Sequence, residues 1–476
     1  MRIKSSLPSA LKYQAVVIES AARDAGLDFF DVVFELLDAR AVNGIAAYGG
    51  FPVRYPSWRF GMDFERLQKG YDWGLSKIYE LVINNDPTYA YLVGSNSMLE
   101  QKLVMAHVFG HADFFKHNAW FQPTDRNMLE TMSQHAARVR EYIDQHGQER
   151  VERTVDLALS LEGLIDPYAP GRAHGRTQPP VRRPTPLSER SLAALEAISG
   201  APMRHAERPA PATRAPAECA PPTFDVLGFI EHEAPLLPFE RDIVRIVRAE
   251  AIYFAPQRMT KVINEGWASF WHSRLLTGGL LEASEIIDFA DVHSGATAAA
   301  PGQLNPYRLG LGLLRHAESQ GQDLFTLRRA HNDVSFIDAL VDEEFALRYH
   351  NIPYSQRRDA AAQGLDWSAW KQSLLTQLAW GGQPRIELVG TAGGALELQH
   401  HHDGRDLDLA AAEPVLANLQ ILWRGAVSLD TRLEDKHVRL SVDADGRVAR
   451  GPGPEARTGS AGPIGPLSAS APSGSP

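Results

Sequence analysis

Ala106-His107-Val108-Phe109-Gly110-His111 sets two imidazoles four residues apart inside an apolar run. Side chains at that spacing lie one above the other on a helix face. Two histidines in this register can grip one metal ion, and a carboxylate from elsewhere can complete the set. A second polar cluster in an apolar helix offers one: Asn264-Glu265-Gly266-Trp267-Ala268-Ser269-Phe270-Trp271-His272. His107, His111 and Glu265 are therefore the candidate ligands of a divalent metal, Zn²⁺ by donor type. His272, two turns beyond Glu265 on the same face, could join or orient the site. Both helices carry a glycine beside these residues, Gly110 and Gly266, at a cost of about 1 kcal/mol each relative to alanine. A missing side chain lets another backbone come close, so the two helices are expected to pack near these glycines.

The first of these helices begins at Ser97, where Ser97-Met98-Leu99-Glu100 is a capping box. That pattern accounts for Glu100 without a functional role. Residues 8–172 read as mostly helical. The segment 11–25 is amphipathic and closed by Gly26; 64–83 is periodic and ends at Asn84-Asn85-Asp86-Pro87, with Asp86 suited to an N-cap and Pro87 to a first helical position. Residues 173–222 are rich in proline and arginine and read as a disordered linker. Helical pattern resumes over 223–378, with a break at Ala255-Pro256 and a helix start at Asn305-Pro306. Residues 380–450 alternate like strands around one helix, a small α+β domain, and the Gly/Pro/Ser-rich stretch 451–476 reads as a disordered tail.

Composition narrows the class. The chain has 476 residues, 44% hydrophobic and 22% charged, with a formal net charge of -10. The acidic balance argues against a nucleic-acid protein. The single cysteine, Cys219, rules out an intrachain disulfide and a multi-thiolate zinc site. No stretch approaches the length of a membrane span, and the expected location is the cytoplasm.

The familiar zinc-peptidase helix is His-Glu-x-x-His, with the Glu as general base. Here Val108 stands at that position, so a hydrolase needs its base elsewhere. Glu80 is the candidate base and Tyr307 a candidate donor to an oxyanion. His293 and His117 are further possible ligands or proton carriers. His400-His401-His402 reads as a solvated turn at a strand end.

Several blocks in order resemble the SpoVR family, the stage V sporulation protein R group. They are Tyr55-Pro56-Ser57-Trp58-Arg59-Phe60-Gly61, Tyr79-Glu80-Leu81-Val82-Ile83-Asn84-Asn85-Asp86-Pro87, Ala106-His107-Val108-Phe109-Gly110-His111-Ala112-Asp113-Phe114-Phe115-Lys116, Ala234-Pro235-Leu236-Leu237, Tyr253-Phe254-Ala255-Pro256-Gln257, the Asn264–His272 block and Asn305-Pro306-Tyr307. The small C-terminal domain is also similar to the family. The resemblance implies a role in spore cortex formation or in a stress or stationary-phase pathway. It also implies a serine protein kinase and a von Willebrand factor A-like protein as partners. The Asn-Glu-Gly-Trp-Ala block is similar to the second metal-binding helix of some Glu-zincin peptidases.

The expected fold is mainly α: a large helical domain with a zincin-like helix pair, plus the small C-terminal α+β domain. Three functions compete. One is a metal-dependent hydrolase of peptide or amide bonds. The second is a non-catalytic regulatory or scaffolding protein working with the kinase system. The third is binding of a small molecule or peptidoglycan fragment without chemistry.

Overall fold

Leu11, Ala15, Ile18 and Ala22 recur every three or four residues, so helix Ser9–Asp24 buries one face and leaves the other to solvent. It stops before Gly26, whose φ of +95° suits a residue without a Cβ. The computed structural model describes residues 7–72, 80–174, 222–298, 303–351 and 366–454. The arginine- and proline-rich stretch lies outside them, save for its two ends, and so does the chain beyond 454. The architecture is mainly helical, with a five-stranded sheet near the C-terminus.

The helical expectation for the first part needs one correction. Residues 32–93 contribute a three-stranded sheet: β1 (Val32–Leu37), β2 (Glu80–Ile83) and β3 (Thr88–Val93), in the order β1-β3-β2. β1 runs parallel to β3, and β2 runs antiparallel to it. Asn84-Asn85-Asp86-Pro87 is the turn between β2 and β3, not a helix start. The Thr88 hydroxyl donates to the Asn85 carbonyl, and the Asp86–Pro87 bond is cis. β3 is buried along nearly its whole length, with Ala90, Leu92 and Val93 covered on both faces. A continuous apolar run of this kind suits a central strand as well as a helix.

From β3 the chain enters the long helix Met98–His117, here termed the His helix. Its start is the capping box: the Glu100 N–H donates to Ser97 Oγ (3.2 Å), and the Ser97 N–H donates to Glu100 Oε2 (2.7 Å). Helix Pro238–Met259 passes through Pro256 without ending there. The break comes at Thr260, whose hydroxyl donates to the Pro256 carbonyl (2.7 Å), and the second special helix, Lys261–Leu275, follows as the Glu helix. Asn305 caps helix Pro306–Ser319, its Oδ1 accepting from the Arg308 N–H at 3.2 Å.

The His helix and the Glu helix pack tightly. A Cβ at Gly110 would lie 2.7 Å from the Ala268 Cα, so only glycine permits this approach. Gly266 serves a different neighbour: its Cβ would meet the backbone of Gly310 in helix Pro306–Ser319, at 2.4 Å. Three helices thus meet backbone to backbone around the Glu helix. Two large apolar clusters surround them. One joins Ile18, Phe34, Leu92, Phe109, Trp267 and Leu313.

The other joins Val155, Ile230 and Val247 to Leu388, Leu398, Leu419 and Leu429. These last four belong to the C-terminal part, where β4 (Ile386–Ala392), β5 (Ala395–His400), β6 (Val427–Leu433), β7 (Lys436–Val442) and β8 (Val448–Pro452) form one sheet in sequence order, crossed by helix Leu409–Trp423. The sheet buries its apolar face against the helical body rather than standing apart. β8 extends into the stretch expected to be a tail, because Val442 and Val448 close a hairpin around Asp443–Gly446.

Gly110→Ala should lower the unfolding free energy by about 1–3 kcal/mol, the usual range for an overpacked core. A urea midpoint equal to that of the parent chain would contradict the close approach described here.

Candidate functional site

The antiparallel course of the two helices pairs their polar residues one by one. His272 faces His107, Asn264 faces His111, and Trp267 faces Asp113. Glu265 lies between the two imidazoles. Its Oε2 is 3.4 Å from His107 Nε2 and 3.5 Å from His111 Nε2. One ligand atom from each of these three residues falls within 4.8 Å of the others, the only such cluster of histidine, cysteine and carboxylate groups among the described residues.

The remaining ring nitrogens decide what the cluster offers. His111 Nδ1 is 2.9 Å from Asn264 Oδ1, an acceptor, so Nδ1 carries the proton. The neutral ring then presents its lone pair at Nε2, toward Glu265. His107 Nδ1 is 2.9 Å from His272 Nδ1, and His272 Nε2 is 2.9 Å from His293 Nδ1. With His107 donating to His272 and His272 to His293, His107 also turns an Nε2 lone pair toward Glu265. Burial, with His107 and His293 beside it, holds His272 neutral by pushing its pKa well below the usual histidine range.

Three lone-pair donors thus converge on one point. Ligand bonds of about 2.0–2.2 Å in a tetrahedral site place neighbouring donor atoms about 3.3–3.6 Å apart, and both measured separations fall in that window. A direct charge-assisted hydrogen bond would be shorter, about 2.7–2.9 Å. The residues present fit a divalent metal.

His272 stands behind His107 rather than beside Glu265, with both ring nitrogens engaged. Its place is to orient a ligand, as a hydrogen-bonded second residue does in many metal sites. His293 ends the imidazole chain, half-buried. His117 lies elsewhere, with Nε2 at 2.9 Å from Asp28. Tyr307 stacks on His107, ring centroids 6.0 Å apart. Glu80 falls on β2, and its side chain lies outside the described residues. The three consecutive histidines do not converge: His400 bonds Thr431, His401 bonds Glu387 and His402 bonds Asp406. His400 is buried, which differs from the solvated turn expected, because it closes the inner face of β5.

Partners far apart in the chain hold the site in place, and the motif reading missed them. Asp333 is buried at the start of the Glu helix, where its two oxygens accept from the Val262 and Ile263 N–H groups, each at 2.9 Å. Burial pushes its pKa up to about 7. Asp113 accepts from Trp267 Nε1 (2.9 Å) and faces Arg328 (3.3 Å). Asn264, Asp113 and Trp267 lie inside the quoted blocks, whereas Asp333 and Arg328 lie outside them.

The ligand cluster opens on a cleft of about 560 Å³. His111, Glu265 and Tyr307 lie on its wall, and Leu81 and Val82 of β2 border it. Arg54 and Glu250, which also line the cleft, belong to a second buried network. Glu250 accepts from Arg54 (2.6 Å) and from the Tyr55 hydroxyl (3.1 Å), and His135 Nδ1 is 3.0 Å away.

With this geometry in view, the relatives can be compared. The SpoVR like protein family model matches residues 6–383. The chain belongs to the SpoVR family. The match stops just before β4, so the C-terminal sheet lies beyond it. The uncharacterized protein YcgB of Escherichia coli (strain K12) is 32% identical over 317 residues, which cover 63% of this chain and 61% of YcgB. The N-acetylmuramoyl-L-alanine amidase CwlM of Mycobacterium tuberculosis (strain ATCC 25618 / H37Rv) is 30% identical over 155 residues, 29% of this chain and 37% of CwlM. The chain thus spans less than two thirds of either relative. No solved structure matches. No helix among the described residues of this SpoVR family member is long and apolar enough to cross a membrane.

Glu250→Ala would leave Arg54 buried without its counter-charge and His135 without its hydrogen-bond partner, and should cost about 3–5 kcal/mol. Denaturant unfolding checks this; a loss below about 1 kcal/mol would mean that solvent reaches the network.

Proposed function

We propose that this SpoVR family member is a metal-dependent hydrolase of a peptide or amide bond, with His107, His111 and Glu265 as ligands of Zn²⁺ or a similar ion. One observation carries the proposal: three lone-pair donors converge at the wall of a cleft, at separations that suit a single ion. A bound divalent ion would polarise a carbonyl and acidify water. The chain's own groups do the rest. Asn264 and His272 fix the two rings so that Nε2 points into the site. Tyr307, stacked on His107 at the cleft wall, donates to a developing oxyanion. Glu80 serves as the carboxylate base, on the strand that borders the cleft at Leu81 and Val82. In this reading the His helix and the Glu helix form a zincin-like pair whose base has moved off the His helix, where Val108 is buried. The amidase name of CwlM agrees with amide chemistry. A purely regulatory protein would keep the same polar network to order its core, and metal content separates the two.

Purified protein should hold about one divalent ion per chain, read by elemental mass spectrometry. His107→Ala with His111→Ala should abolish it, and full retention would remove these residues from the site. Asn264→Ala should weaken metal affinity by about 10–100-fold, the usual effect of losing an orienting partner. Glu80→Gln and Tyr307→Phe should keep the metal. If turnover also persists unchanged in both, their assigned roles are wrong.

A further inference from the structure

Helix Leu409–Trp423 does not cover the C-terminal sheet completely. Its first turns present small side chains, Ala411, Ala412 and Val415, to a sheet face that carries Ile386, Leu398 and Leu429. A cavity of about 400 Å³ remains between them, with residues 403–408 at its rim. It shares no lining residue with the cleft at the His–His–Glu cluster. Most of its wall follows residue 383, where the family match ends.

His400 is the one buried polar side chain in this lining, 4% exposed. Strand alternation turns it to the inner face of β5, beside Leu398. Its Nδ1 is 2.9 Å from Thr431 Oγ1 on β6, and its Nε2 bonds to no group among the described residues. Burial, with His402 beside it, pushes its pKa down to about 4, so the ring is neutral at neutral pH. The Thr431 hydroxyl can donate to the Arg432 carbonyl (3.4 Å) or to His400 Nδ1. In the first case Nε2 offers a lone pair; in the second it offers an N–H. Either way a polar atom at an apolar cavity lacks a protein partner, which costs free energy unless a guest supplies one.

The rim narrows the guest. Asp403 is held by Arg405 (2.7 Å) and Asp406 by His402 (2.8 Å), and Asp408 accepts from the Ala410 N–H (2.9 Å). Three aspartates stand against one arginine in the lining, so an anion is disfavoured. A cationic group would lose its hydration beside a neutral imidazole. A hydroxyl is neutral, and it can donate to a lone pair or accept from an N–H, so it answers both tautomers of His400.

We propose that this cavity binds a small neutral amphiphile, an alcohol with an apolar chain or ring, whose hydroxyl pairs with His400 Nε2 while its hydrocarbon body packs on Ile386, Leu398, Leu416 and Leu429. A volume of about 400 Å³ lies within the range of small-ligand sites, and apolar cavities take up apolar guests. This site does not depend on the hydrolase reading.

Isothermal titration calorimetry of the full chain tests it with three probes of one chain length: 1-octanol, 1-fluorooctane and octanoate. Octanol should bind about ten-fold tighter than either comparator. His400→Phe keeps a ring in place and removes Nε2. It should still take up fluorooctane, which also reports an intact cavity, and should bring octanol to within about two-fold of it. Ala412→Trp fills the cavity and should abolish octanol binding. His107→Ala with His111→Ala should leave the octanol affinity unchanged. No octanol binding at about 1 mM, equal affinity for octanol and fluorooctane, tighter binding of octanoate, or a preference that survives His400→Phe would each overturn the assignment. So would octanol binding that persists in Ala412→Trp or disappears in the double histidine variant, since the alcohol would then sit elsewhere.

Discussion

The approach of two helix backbones at Gly110 and Ala268 is the constraint on which the rest depends. Side chains of ordinary size would hold these helices 8–10 Å apart. A methyl group at Gly110 would already press on the Ala268 backbone. Because the helices close to this degree, residues half a turn to either side are brought into register. Asn264 reaches His111, Trp267 reaches Asp113, His272 reaches His107, and Glu265 is placed between the two rings. Gly266 and Gly310 repeat the device on the other side of the Glu helix. The helix carrying Tyr307 is thereby drawn against the same centre.

Bringing polar groups together in an apolar interior makes a second demand, since each buried donor or acceptor must find a partner. The molecule meets it by extending the network outward. The His107 ring leans on His272 and then on His293. The Glu helix start is held by Asp333, from a helix some seventy residues later in the chain. Asp113 ties the His helix to Trp267 and Arg328. Such networks fix ring orientation and helix phase together, so the geometry of the cluster is a property of the whole helical body. The Arg54–Glu250–His135 network does the same for the far wall of the cleft.

Local signals were legible where the chemistry is local. The Ser97–Glu100 capping box, the stop at Gly26, the Asn305-Pro306 start and the C-terminal strands around one helix all lie where their sequence places them. The misreadings share a cause. β2 and β3 are short and mostly apolar, so their pattern does not distinguish strand from helix, and Asp86-Pro87 imitates a helix start while forming a turn. Pro256 reads as a breaker, yet the helix continues through it to Met259, where the Thr260 hydroxyl donates to the Pro256 carbonyl at the helix end. β8 has too little apolar character to announce itself and exists by pairing with β7.

For the candidate site, the sequence alone determined the phase of each helix: a four-residue spacing puts His107 and His111 on one face, and the Asn-Glu pair puts Asn264 and Glu265 at one level. Helical periodicity is a property of the backbone, so these relations hold wherever the helices lie. Only the tertiary structure decided that the two faces oppose each other and that His272 supports a ring instead of sharing the cluster. Those relations depend on distances between segments some 150 residues apart, and packing, through the absence of a side chain at Gly110, sets them.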